Sequence, residues 1–118
     1  MKIVPKEIPY KDRSEFLRGF LILMKQNKNV SEYEREMAMV IGKYFGFDKE
    51  FCKDSINSIL ENEYISDEPP LFSDNKIAEY FVTESCNILK QLHRLTDKEL
   101  NWLWKTADIN KLKSIELE

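Results

Sequence analysis

Two short stretches decide how this chain reads: Val30-Ser31-Glu32-Tyr33-Glu34 and Leu95-Thr96-Asp97-Lys98-Glu99-Leu100. In each, a hydroxyl residue precedes a glutamate by three positions, the spacing of a capping box. The Ser31 or Thr96 oxygen accepts from an orphan backbone N–H, and the glutamate reaches back to the cap residue's own N–H. Leu95 and Leu100 stand where a hydrophobic staple would place them. Each stretch therefore opens a helix. The first continues through a stripe of Met37, Val40, Ile41, Tyr44 and Phe45; the second carries Leu100, Leu103, Trp104 and Ala107.

Upstream of each box lies a longer apolar helix. One spans about residues 11–27, with Phe16, Phe20, Leu23 and Met24 at helical spacing and Leu17, Leu21 and Ile22 widening the face. The other starts at Ser73 or Asp74 and carries Ile77, Phe81, Ile88, Leu89 and Leu92. Between the halves, Gly46 suits the left-handed position that closes a helix, and Asp48 caps a third helix over 49–63, with Cys52, Ile56, Ile59 and Leu60 on one face. A turn or short helix follows from about Asn110. The two boxes are 65 residues apart (31 to 96, 34 to 99), and the same offset lays Phe16 on Phe81, Leu23 on Ile88, Met24 on Leu89 and Trp102 on Met37. This reads as a degenerate duplication. The expected architecture is an all-α bundle of five or six helices, with helices one and four as a long central pair. It divides into an N-terminal arm (1–10), a first half (11–63), an acidic proline-containing loop (64–72) and a second half (73–118).

Composition agrees. At 118 residues the chain suits one domain, and only three glycines and four prolines leave little material for hairpins. A net charge of −3 with interspersed signs offers no basic footprint for nucleic acid. The longest apolar run, 19–24, is far short of the roughly 20 residues of a membrane span, and residues 1–10 lack the apolar core of a secretory signal. A soluble, cytoplasmic protein is expected. Cys52 and Cys86 stand apart with no CxxC pair, which fits buried free thiols.

The two junctions resemble those of TerB-like proteins, the tellurite-resistance family. The residues that carry the likeness are Asn27-Lys28-Asn29-Val30-Ser31-Glu32-Tyr33-Glu34 with Gly46-Phe47, and the stretch from Ile77-Ala78-Glu79-Tyr80-Phe81 through Leu95–Leu103 to Ala107 and Leu112. In that family an Asp-Gly pair precedes each junction, and its acidic residues are associated with divalent metals and its operons with bacterial stress. Here the pair is replaced by Asn27-Lys28 and by Leu92-His93, while Glu34 and Glu99 are kept. The resemblance implies a helical fold. It makes a metal role less expected, since hard cations need several oxygen ligands and Leu92 supplies none.

The chemistry available is sparse. Reading 27–38 as a calcium loop puts Glu32 where glycine is needed and Ala38 where glutamate is needed. No glycine-rich phosphate loop, HExxH or GxSxG occurs. His93, the sole histidine, is the one candidate general base, and it lacks a partner motif. Glu34 and Glu99 are the candidate metal ligands, and capping already accounts for both. Gly42 and Gly46 match GxxxG, but in a charged helix Gly42 instead permits close helix approach. Two surface candidates stand out for a protein partner. One is the loop in which Glu61, Glu63, Asp67 and Glu68 surround Tyr64 and Ile65 ahead of Pro69-Pro70. The other is Trp102, about 200° around the helix from Trp104 and read as the partly exposed one. The expected function is a non-enzymatic, TerB-like interaction module with no cofactor and an unidentified protein partner. Residual metal binding is the first alternative and an enzyme built on His93 the second.

Overall fold

The computed structural model describes residues 7–26, 30–92 and 95–117. Among them are five helices: α1 (Tyr10–Lys25), α2 (Glu32–Tyr44), α3 (Lys49–Glu61), α4 (Asn75–Leu92) and α5 (Asp97–Ile109). The expected all-α bundle is present. Both capping boxes form as read: the Ser31 hydroxyl accepts from the Glu34 N–H at 3.1 Å, and that of Thr96 accepts from the Glu99 N–H at 3.2 Å. In return, Glu34 Oε1 accepts from the Ser31 N–H at 3.1 Å and Glu99 Oε1 from the Thr96 N–H at 3.0 Å.

α1 alone is the hub. It packs against all four other helices, while α2 pairs with α3 and α4 with α5. The reason is its sidedness. Phe16, Leu17, Phe20, Leu21, Ile22, Leu23 and Met24 are all buried, so apolar groups point round most of the cylinder. α4, expected to share the centre, keeps Glu79, Asn87, Lys90 and Gln91 exposed and buries one face only. The core focuses on Phe81, whose ring meets Phe16 of α1 (centroids 4.9 Å), Trp102 of α5 (6.2 Å) and Phe72 (5.2 Å). Gly19 makes room for it: a methyl there would lie 2.8 Å from the Phe81 ring and 2.7 Å from Pro70.

Segment 66–74 is a tied strap. Pro69, Pro70 and Phe72 are buried, and Asn110 holds the strap to α5: its amide donates to the carbonyls of Pro70 and Thr106 at 2.9 Å each, and its oxygen accepts from the Phe72 N–H at 2.9 Å. Asp12, buried at the start of α1, accepts from the N–H of Ser73 at 2.9 Å and from its hydroxyl. These buried polar residues seal the ends of the core.

α2 and α5 close alike. At α2, the Phe47 N–H reaches the Gly42 carbonyl and the Gly46 N–H that of Lys43, with Gly46 at φ +85°. At α5, Leu112 reaches Ala107 and Lys111 reaches Asp108, with Lys111 at φ +58°. Both are Schellman closures. The segment after Asn110 is thus a turn, not a sixth helix. Lysine is strained where Gly46 is at ease, because the left-handed region costs a side chain about 1–2 kcal/mol. Lys111→Gly is expected to raise stability by about 0.5–1 kcal/mol after glycine's extra unfolded-state entropy is subtracted. A urea midpoint that rises at constant slope checks this; a lower midpoint contradicts it.

Candidate functional site

The most distinctive surface is built by the α2–turn–α3 hairpin. The turn after Tyr44 is set by Gly46, and Asp48 restarts the chain by accepting from the N–H groups of Glu50 (3.0 Å) and Phe51 (3.4 Å). Gly42 lets the two helices close, as the sequence suggested: a methyl there would stand 2.4 Å from Cys52 Sγ. The expected stripe on α2 is only half buried. Ala38, Ile41 and Phe45 turn inward, whereas Val40 is 60% and Tyr44 54% exposed. An apolar arc this wide exceeds what α1 and α3 can cover.

The uncovered part forms the floor of a groove between α2 and α3. At the turn end an open cleft of about 460 Å³ is lined by Met39, Val40, Phe47 and Cys52, with Lys43 and Lys49 at its rim. It continues into a cleft of about 380 Å³ that adds Lys53 and Ile56, then Arg35, Glu32 and Glu36. Aromatic rings extend the apolar surface: Phe47 stacks near Phe51 (5.1 Å) and meets Tyr10 edge-on (5.8 Å). Arg13 lies over Tyr10 at 5.6 Å and donates to the Phe45 carbonyl at 3.0 Å, fixing this corner. Tyr10 is 61% and Phe51 41% exposed, so side chains able to fill a core are held out of it.

The one thiol in the groove is held protonated. Burial pushes the Cys52 thiol above its ordinary value, with the Asp48 carboxylate adding to the effect, so the protonated form prevails at neutral pH. Cys86 is also raised by burial, against an opposing pull from Lys90, and its Sγ lies 3.1 Å from the Leu117 carbonyl. Both thiols are free and buried, as expected. On α4, burial chiefly, then Tyr44 and Glu84, push Tyr80 up to about 12.

The structure redistributes the residues singled out in sequence. Glu34 and Glu99 are buried in their caps, each Oε1 also accepting from the cap hydroxyl, at 3.0 and 2.9 Å. Among the described residues no group of three His, Cys, Asp or Glu side chains comes together as a metal site. His93 and the 27–29 segment lie outside the described residues. Tyr64 is fully out in solvent, Ile65 is half-buried, and Asp67 and Glu68 are exposed.

The reading of Trp102 is corrected. It is 5% exposed, and its indole N–H donates to the Asp67 carbonyl at 2.8 Å; Trp104 is the exposed tryptophan, at 40%. The buried face of α5 is Glu99, Trp102, Leu103, Thr106 and Ala107. Two polar residues belong to it because the cap satisfies Glu99 and Thr106 bonds back to the Trp102 carbonyl at 2.8 Å. A stripe counted from apolar residues alone is rotated away from Trp102. The groove itself was missed. Its signal was an over-wide apolar stripe on α2, with Phe47 following just beyond the turn.

Among the described residues, no helix is long and apolar enough to cross a membrane. Comparison with family models, curated proteins and solved structures returns no match. The fold and site thus define an all-α bundle with an open, apolar-floored groove on one helical hairpin.

Proposed function

We propose that this chain is a non-enzymatic, TerB-like interaction module of the bacterial cytoplasm, binding another protein through the α2–α3 face in a stress-response setting. The observation that carries the reading is the continuous run of exposed or half-exposed apolar groups from Val40 and Met39 across Phe47 to Phe51 and Tyr10. Exposed apolar patches rimmed by polar residues mark interaction sites, and aromatic side chains are the usual anchors. The TerB-like part draws on the repeat. α5 spans 97–109 where α2 spans 32–44, and α4 begins at 75 where α1 begins at 10, so the 65-residue offset extends to both bounds of one helix pair, to the starts of the other and to both Schellman closures. Duplication of a helix pair accounts for that register. The stress-response setting comes from the resemblance alone.

Site-directed photocrosslinking in the native cell tests the reading, with benzoylphenylalanine in place of Val40, Phe51 or Asn87. Discrete heterologous adducts from positions 40 and 51, and none from the exposed position 87 on α4, are expected. Adducts of twice the chain mass would replace the partner with a second copy. Absence of adducts at 40 and 51 would overturn the module.

A further inference from the structure

We infer that the occupant of the α2–α3 groove is an acidic, amphipathic helical segment of the partner, an inference that rests on the interaction reading above. The chain carries a net charge of −3, yet the apolar end of the groove is rimmed by Lys43 and Lys49, with Lys53 one turn further along α3. All three lysines are exposed, and none joins an ion pair among the described residues. The nearest carboxylates are otherwise placed. Asp48 caps α3, Glu50 and Asp54 line neither cleft, and Glu32 and Glu36, on the first turns of α2, line only the second cleft, together with Lys49 and Lys53. The groove is therefore polarised, cationic over its apolar floor and mixed beyond it.

That pattern selects one chemistry. Apolar anchors would bury against Met39, Val40 and Phe47, while carboxylates on the same segment meet Lys43, Lys49 and Lys53; opposite potentials favour encounter and set orientation. Two 13-residue helices wall the groove, giving it a length of about 20 Å, the span of a three- to four-turn helix. Anchors at i, i+3/i+4 and i+7 match such a floor, the helix-in-groove mode. A nucleic acid strand would meet a floor of Met39, Val40 and Phe47 with no polar groups to read its bases.

The test is selection of 16-residue peptides from a random phage library against the full chain, counter-selected with Val40→Asp. Enriched peptides are then measured by fluorescence anisotropy and mapped by amide chemical shifts. Leucine or phenylalanine anchors flanked by Asp and Glu are expected, with shifts at Val40, Phe47 and Lys49. The double variant Lys43→Glu, Lys49→Glu should weaken binding at least roughly tenfold. Met39→Ser, at a residue that lines both parts of the groove, serves as a second apolar variant should Val40→Asp disturb α2. Neutral or basic peptides that still need Val40 would overturn the acidic occupant and leave the interaction module standing. A library yielding no peptide sensitive to Val40→Asp or Met39→Ser would overturn both.

Discussion

Phe81→Ala is expected to lower the stability of the fold by about 3–5 kcal/mol, the range for removing a fully buried phenylalanine. Its ring is wholly buried and touches α1, the strap and α5 at once, through Phe16, Phe72 and Trp102. The hole it leaves cannot easily collapse. Gly19 and Pro70 already meet on one side of it, and the strap is pinned by Asn110 and Asp12. For a domain of this size the loss corresponds to a fall in Tm of roughly 10–25 °C. Phe51→Ala is the instructive contrast, for the same chemical deletion at a 41% exposed position should cost under about 1 kcal/mol. Urea unfolding of both variants reads the difference directly. Equal losses would mean that Phe51 supports the fold, and the aromatic patch beside the groove would lose its claim to be a surface kept for binding.

Asn110→Asp is the second large effect expected, about 2–4 kcal/mol at neutral pH from buried donors and acceptors left unmatched. The wild-type amide makes two donations and one acceptance, all inside the protein. An aspartate keeps the acceptor for the Phe72 N–H but turns its other oxygen towards the carbonyls of Pro70 and Thr106. Only the protonated carboxyl can donate there, so its folded-state pKa must lie above the roughly 3.9 of an unperturbed aspartate. The sign follows from linkage. A raised folded pKa contributes stability that is fully present below the unfolded value and lost as pH rises through the folded one. The gap between variant and wild type should therefore be smallest near pH 3–4 and widen towards pH 7. A gap independent of pH would mean that the strap re-forms without the Asn110 bonds.

The groove shows why the candidate site was harder to read than the helices. Capping boxes are local: Ser31 with Glu34 and Thr96 with Glu99 need only three residues of separation, and both are present as read. The groove depends on how far the apolar arc of α2 exceeds the area that α1 and α3 cover, a quantity defined only after packing. Val40 and Ile41 are neighbours of similar chemistry, and one is 60% exposed while the other is 7% exposed. Trp102 failed for the complementary reason, since its face of α5 is completed by Glu99 and Thr106, polar residues whose burial is licensed by bonds they make within the fold.

By itself, then, the sequence determined the helical class, the two capped junctions, the glycine turn after α2, the burial of both thiols and the apolar identity of α1. Each follows from spacing over a single turn or from a conformation that few residues tolerate. The tertiary structure alone decided that α1 is the sole hub, that segment 66–74 is a strap tied by Asp12 and Asn110, that Trp102 is buried, and that Met39, Val40 and Phe47 share one open groove. Those outcomes depend on pairs up to 61 residues apart competing for one limited buried volume, and no local pattern encodes which pair prevails.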